Sequence, residues 1–292
     1  RKLPTNDVEI DVNENYQTHI RSGKSEFHLI GLDPSEYPLL PEIQDDRQFV
    51  IPADLLKSIV RETVFAVSTS ESRPVLTGVH WEVKNGELVC VATDSHRLAR
   101  RKTTLEQMPE GEYSVVIPGK SLNELSKIIG DSSEAVNIVM TQQQVLFKTS
   151  DVLFYSRLLE GNYPDTSRLI PNEYKTTVTV NGKALLQAID RASLLAREER
   201  NNIVRFSSLE GNVVEISSSS PEVGKVEEEI QATSIEGEEL KISFSAKYMM
   251  DALKAVDGQD VMVQFTGAMR PFILKSVHDD AILQLILPVR TY

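Results

Sequence analysis

A chain of 292 residues, 40% hydrophobic and 25% charged, has the composition of a globular protein and enough length for about two independent cores. A net charge of −12 argues, taken alone, against nucleic-acid binding, because phosphate contacts need clustered Lys and Arg; that figure is a sum, however, and an acidic outer surface can coexist with a mildly basic inner face. The single cysteine, Cys90, excludes an internal disulfide framework and a thiolate-rich metal site, and it fits a reducing, cytoplasmic setting.

The chain opens Arg1-Lys-Leu-Pro-Thr-Asn, with neither an initiator Met nor the apolar core of a signal peptide, which points to processing or truncation. Strands are predicted at 7–12, 16–22 and 27–32, closing with Glu36-Tyr-Pro38. A strand at 48–52 then leads into a helix at 53–67, where positions 55, 56, 59, 60, 63 and 64 recur at helical spacing. Strands at 76–83, 87–93 and 97–104 follow, the first two joined by Asn85-Gly86, a strong hairpin signal. The same plan returns with strand 113–118, helix 119–130 and strands 135–141, 144–150 and 152–159. It returns again from Lys175, with helix 182–196 and strands 203–208, 213–218 and 224–230. A last copy has strand 240–245, helix 246–256 and strands 261–266, 272–276 and 281–287. The longest apolar run, Ala281 to Val289, is broken by Gln284 and is too short to span a bilayer.

These copies are a repeat. Phe49-Val-Ile-Pro-Ala-Asp-Leu-Leu56, Val115-Val-Ile-Pro-Gly-Lys-Ser-Leu122, Val178-Thr-Val-Asn-Gly-Lys-Ala-Leu185 and Ile242-Ser-Phe-Ser-Ala-Lys-Tyr-Met249 align at Ile51, Ile117, Val180 and Phe244, with steps of 66, 63 and 64 residues. Each copy reads as a helix over one face of an antiparallel sheet, an α+β architecture, and two copies side by side give a pseudo-symmetric domain with two helices over continuous sheet. The pairs Tyr37-Pro38 and Tyr163-Pro164 lie 126 residues apart, so repeats couple into domains: 1–43 is the end of an incomplete first domain, 44–170 a second and 171–292 a third. About one and a half further repeats are expected before Arg1.

Several motifs carry a resemblance. Pro74-Val-Leu-Thr-Gly-Val79 with Ala92-Thr-Asp-Ser-His-Arg-Leu-Ala99, Gly161-Asn-Tyr-Pro-Asp165, Phe244-Ser-Ala-Lys-Tyr248, Thr266-Gly-Ala-Met-Arg-Pro271 and the ending Leu287-Pro-Val-Arg-Thr-Tyr292 fall in order along the whole chain. Together they resemble the bacterial DNA polymerase III beta subunit family, the sliding clamps. The resemblance implies a clamp fold closed as a head-to-tail homodimer of six similar domains, with helices lining a central hole and strands outside. It also implies a non-catalytic processivity factor that encircles duplex DNA without sequence preference and needs no cofactor. Replicative polymerase, clamp loader and repair proteins would dock through short glutamine- and leucine-containing peptides, in a groove between the second and third domains.

Carried over by position, that groove uses Leu76, Thr93, His96, Arg97, Leu98, Pro164, Arg168, Tyr248, Met269, Pro271, Leu287, Pro288, Val289 and Arg290. Aliphatic walls would bury an apolar anchor, with an Arg and a His at the rim. Ser95 stands where the family has a glycine and Ser245 where it has an asparagine; the first alters a loop in which glycine's backbone freedom matters. The helices carry Lys57 and Arg61, Lys120 and Lys127, Lys183 and Arg191, and Lys247 and Lys254, which would face DNA weakly enough to slide. Phe27, Leu194 and Leu195 would be apolar plugs at ring closure, and this chain by itself is expected to close rings poorly.

Other chemistry lacks support. Asp94-Ser95-His96 are neighbours and cannot supply a convergent nucleophile, base and orienter. Asn181-Gly-Lys183 lacks the spaced glycine and hydroxyl of a phosphate loop. His19, His28, His80, His96 and His278 show no metal-ligand spacing. Glu227-Glu-Glu229 and Glu236-Gly-Glu-Glu239 read as solvated strand ends, and Trp81 as core. A hydrolase across the repeats finds no acid–base pair; a repeat scaffold that binds proteins but never DNA is the alternative.

Overall fold

The structure, a computed structural model, describes residues 2–4, 7–37, 48–107, 111–130, 133–196, 202–256 and 260–290. The expected boundary at 43/44, Pro38, and the final Thr291-Tyr292 lie outside the described residues. The chain divides into two compact units, Arg1–Gln44 and Asp45–Tyr292.

In the first unit, β1 (Glu9–Val12), β2 (Gln17–Ser22) and β3 (Ser25–Ile30) form an antiparallel meander. Residues directly opposite one another share a face, so the register separates two kinds of row. Ile10, Ile20 and Phe27 lie on one face, whereas Asp11, His19 and His28, like Glu9, Arg21 and Glu26, lie on the other.

The second unit repeats one plan four times. β4 (Gln48–Pro52) enters α1 (Ala53–Thr63), followed by the meander β5 (Gly78–Lys84), β6 (Glu87–Thr93) and β7 (Arg97–Thr104). Next come β8 (Tyr113–Pro118), α2 (Gly119–Ile128), β9 (Ala135–Met140), β10 (Gln144–Lys148) and β11 (Leu153–Arg157). The third copy has β12 (Thr176–Asn181), α3 (Gly182–Ala196), β13 (Ile203–Leu209), β14 (Val213–Ser220) and β15 (Gly224–Gln231). A short β16 (Ser234–Gly237) precedes β17 (Lys241–Ser245), α4 (Ala246–Ala255), β18 (Asp260–Phe265), β19 (Phe272–Ser276) and β20 (Ile282–Ile286).

Each strand runs into its helix without a loop, and the first helical residue is small and fully or nearly fully buried: Ala53, Gly119, Gly182 and Ala246. At Gly119 a Cβ would come within 3.1 Å of the Thr77 carbonyl and 3.2 Å of Val67, so bulk is excluded there. Pro52 and Pro118 set the turn, and the Asn181 side chain caps α3 by accepting the Ala184 N–H at 3.0 Å. Leu56, Ile59, Val60, Leu122, Leu125, Leu185, Ile189, Met249 and Leu253 face inward from the four helices. Trp81 is fully buried, as its strand pattern implies, with its ring edge-on to Phe147.

Three sequence expectations are corrected. The strand expected from Leu76 begins at Gly78, because Pro74 opens a 3-10 turn over Pro74–Thr77, where its fixed φ and missing N–H are tolerated. β16 is too short to show alternation and went unpredicted. Two helices over one continuous sheet per pair of repeats is also not the observed connectivity. The opening strand of each repeat joins its partner's meander: β4 pairs β9 and β8 pairs β5, while β12 pairs β18 and β17 pairs β13. Each pair therefore has two sheets. The continuous sheet instead crosses from one pair to the other through β7 and β20, giving the nine-stranded order β16-β12-β18-β19-β20-β7-β6-β5-β8.

Two interior cores result, one spanning Phe49 to Phe147 and one spanning Val178 to Ile286. A third apolar cluster (Val91, Leu98, Ile273, Leu283, Leu285) lies on the other face of the nine-stranded sheet, where Tyr163, Ile170 and Tyr174 of the connecting segment cover it.

Candidate functional site

The register converges several segments on one end of the nine-stranded sheet. Phe265, Phe272, Ile286 and Arg97 fall in one row across β18, β19, β20 and β7. Just beyond that row lie the 266–271 turn, the tail from Leu287, and the turn at 94–96. β12 also starts there, with Thr176 opposite Phe265. Leu98 pairs with Leu285 across the β7–β20 seam, forming an apolar floor. The tail is tied down on both sides of the seam: Leu287 N–H donates to the His96 carbonyl at 3.0 Å, and Val289 N–H to the Ser243 carbonyl at 2.8 Å.

Arg97 organises this end. Its Nε donates to Asp94 Oδ2 at 3.0 Å, Nη1 to Asp251 Oδ2 at 2.7 Å and Nη2 to the Phe65 carbonyl at 2.6 Å. The guanidinium also lies over the rings of Tyr248, 4.4 Å from the centroid, and Phe65, at 5.3 Å. Arg97 is only 7% exposed. Arg97 therefore lies inward at this end rather than on an open rim: one N–H from each of its three nitrogens is taken up within the protein, which makes it a keystone of the site. His96, next in sequence, is exposed. The Asp94 carboxylate accepts the His96 N–H at 2.9 Å and the Arg97 N–H at 3.1 Å, which folds the turn.

Ser95 takes a positive φ of 80°, in the left-handed region that a side chain disfavours. Ser95 Oγ accepts a 2.7 Å hydrogen bond from Arg73 Nη2 that holds the turn. Thr93 is buried and its hydroxyl donates to the Arg97 carbonyl at 2.6 Å, while Leu76 is buried within the 3-10 turn that follows Arg73. Burial and the neighbouring Asp94 push the Tyr248 hydroxyl's pKa above its ordinary value.

The remaining groove candidates stand apart from the Arg97 cluster, with no hydrogen bond, ion pair or ring contact to it among the described residues. Pro164 and Arg168 are exposed on the connecting segment, Arg168 pairing with Asp165 at 3.4 Å. Met269 is exposed on the 266–271 turn; Pro271 and Pro288 are half-buried and Arg290 is exposed. Sequence reasoning missed Phe65, Asp94 and Asp251 as members of the cluster. Asp251 carries a signal in hindsight, since it follows Tyr248 by one helical step on α4.

A depression of about 1310 Å³ lies against the outer sheet face and touches the expected groove only at Pro164. His80 in its wall stacks on Tyr163 with centroids 5.0 Å apart and contacts Ser114 Oγ at 2.8 Å. Burial lowers the His80 pKa and raises that of Tyr163.

Counted from the aligned positions Ile51, Ile117, Val180 and Phe244, the third residue is Asp54, Lys120, Lys183 and Lys247, and the tenth is Arg61, Lys127, Asp190 and Lys254; all eight are exposed. Two exposed helix positions therefore recur with cations in three repeats of four. Lys57 is half-buried. Lys127 pairs with Glu124 at 2.7 Å, Arg61 with Glu62 at 3.4 Å, and Arg191 is held bidentately by Glu228, so these three present less free charge. Phe27 is 45% exposed and Leu194 58%, whereas Leu195 is half-buried. Among the described residues no group of three or more His, Cys, Asp or Glu could hold a metal ion, and no helix is long and apolar enough to cross a membrane.

Tandem helix-backed meanders joined through one shared sheet, with recurrent cations on the helices, define a DNA clamp. The chain matches the family descriptions of the DNA polymerase III beta subunit: the N-terminal domain over residues 1–41, the central domain over 50–165 and the C-terminal domain over 167–290. It is 61% identical to the beta sliding clamp of Bacillus subtilis (strain 168), covering 100% of this chain and 77% of that protein, and 54% identical to that of Staphylococcus aureus (strain N315) with the same coverage. A crystal structure of the Bacillus subtilis sliding clamp superposes with a TM-score of 0.94 at 62% identity, over 100% of this chain and 77% of that one. A Pseudomonas aeruginosa clamp bound to griselimycin gives 0.90 at 26% identity, over 97% and 76%. The chain belongs to the DNA polymerase III beta subunit family, the beta sliding clamps. Its function is that of a DNA sliding clamp, a processivity factor and not an enzyme.

Proposed function

We propose that the sheet end around Arg97 is where client proteins dock. The reading is supported above all by one observation: an apolar floor at Leu98 and Leu285, exposed His96 and the tethered tail Leu287 to Arg290 meet at the β7–β20 seam. Such a site takes an extended peptide whose apolar side chain enters the floor while tail and turn flank its backbone. Clients would be the replicative polymerase, the clamp loader and repair proteins. The partition 1–43, 44–170 and 171–292 accompanies this reading, with the groove at the second junction, and the site of action is the cytoplasm. Lys120, Lys183, Lys247 and Lys254 would face duplex DNA, with Lys57, Arg61, Lys127 and Arg191 as lesser contributors. Phe27, Leu194 and Leu195 would serve ring closure in a homodimer.

A fluorescent peptide containing glutamine and leucine, titrated by anisotropy, tests the groove. Deleting residues 287–292, or changing His96 to Ala, weakens binding about tenfold or more if an interface anchor is lost; unchanged affinity would place the site elsewhere. For DNA, Lys120→Glu, Lys183→Glu and Lys247→Glu combined shorten retention on circular duplex. Unaltered retention would favour the protein scaffold that never meets DNA.

A further inference from the structure

β7 carries four cations, Arg97, Arg100, Arg101 and Lys102, and three of them have carboxylate partners. Arg97 meets Asp94 and Asp251, Arg101 meets Glu62 and Asp279, and Lys102 meets Glu87 at 3.5 Å. Arg100 is the exception. Among the described residues it makes no side-chain hydrogen bond and no ion pair, and its Nε is enclosed without an acceptor. Burial pulls the Arg100 pKa below its ordinary value, and Glu87 opposes this only as a longer-range charge. A half-buried guanidinium is costly while nothing accepts its hydrogen bonds.

Alternation puts Arg100 on the outer face of β7 with Leu98, two residues and roughly 7 Å along the strand. His80, Val91, Arg100 and Leu283 lie directly opposite one another across β5, β6, β7 and β20. Val91 and Leu283 belong to the same apolar cluster as Leu98 and Leu285, so the floor of the candidate groove continues to Arg100. There the surface opens into the depression of about 1310 Å³, which Arg100 lines.

We propose that Arg100 is a second recognition point for client proteins, taking the carboxylate of an Asp or Glu that flanks the docked peptide; this rests on client docking at the β7–β20 seam. The planar guanidinium matches a carboxylate in shape and charge, which no side chain of this protein supplies to it. An extended peptide advances about 3.3 Å per residue, so an acid about two or three residues beyond the apolar anchor reaches Arg100 while the anchor fills the floor at Leu98. Glu82 and Glu160 also line the depression and repel further negative charge, so a single acidic residue is favoured over an acidic run.

The test uses the whole chain and the fluorescent glutamine- and leucine-containing peptide, extended by a short neutral segment at either end with one Glu or, in its place, one Lys. At one end the Glu peptide should bind about tenfold tighter than the Lys peptide, the worth of one charge-assisted hydrogen-bonded contact. Arg100→Met keeps the packing of the stem and should abolish that difference, and Arg100→Glu should reverse it. Should the unextended peptide bind and lose affinity in His96→Ala while Glu and Lys extensions bind alike at both ends, the groove stands and this inference is overturned. A Glu preference that survives in Arg100→Met overturns it equally. Unchanged affinity of the unextended peptide in His96→Ala removes the groove, and the role of Arg100 with it.

Discussion

Replacing Arg97 with Ala strips the β7–β20 end of its keystone. The Asp94 and Asp251 side chains, 14% and 25% exposed, lose their partner, and the Phe65 carbonyl loses a 2.6 Å donor. Breaking a buried pair by removing one member costs roughly 3–5 kcal/mol. Asp251 can recover some hydration, which places the expected loss near 3 kcal/mol on that scale. For a unit of this size the melting temperature falls about 2–4 °C per kcal/mol, hence by about 6–12 °C. Calorimetry or a tryptophan melt followed through Trp81 reads the change, and peptide anisotropy reads the groove. Arg97→Lys keeps the charge without the planar fork and lies between the two. Adding Asp94→Asn and Asp251→Asn to Arg97→Ala recovers part of the loss, because no unpaired carboxylate then remains. A variant melting within about 1 °C of the native chain, well under 1 kcal/mol on the same scale, would refute the keystone assignment.

At the junction of the two repeat pairs, Glu62 is buried 3.4 Å from Arg101, which also reaches Asp279 at 2.9 Å. Burial raises the Glu62 pKa above its ordinary 4.5 despite Arg101. The folded chain therefore holds that proton more tightly than the unfolded one, and this contribution is present below 4.5 and lost as pH climbs through the raised folded value. Glu62→Gln should melt at or above the native chain at neutral pH, with the gap closing toward pH 4.5; a gap that widens on acidification would contradict this. Gly237 has φ of 111°, and a Cβ there would sit 1.9 Å from the Lys175 carbonyl. Gly237→Ala should therefore cost at least about 1–3 kcal/mol and release β16, seen as faster exchange at Ser234–Gly237. Leu194→Asp, on an exposed position, should change chain stability by no more than about 0.5 kcal/mol while shifting a full-length clamp toward monomer in sedimentation.

Much of the fold was legible because local pattern carries it. Strands Glu87–Thr93, Arg97–Thr104, Tyr113–Pro118 and Phe272–Ser276, and helix Gly182–Ala196, fall where alternation or helical spacing places them. Asn85 and Gly86 take φ of 52° and 75°, the paired positive values a tight hairpin demands. The candidate groove was legible only as a set of positions. Its architecture rests on Arg97 meeting Asp251, 154 residues away, and on Leu287 meeting His96, neither of which any local period encodes.

The amino-acid sequence by itself determined the repeat, the inward face of each helix and meander, and the membership of the clamp family, because each is written in residue type at fixed spacing. Tertiary structure decided which edges pair. β4 lies on the partner repeat's meander and β7 lies on β20. Backbone hydrogen bonds are nearly indifferent to residue type, so the choice among similar strand edges is made by how the buried faces close together in three dimensions. The same closure turned Arg97 inward and set His19 against His28, and no reading of the linear chain could assign either side chain its neighbours.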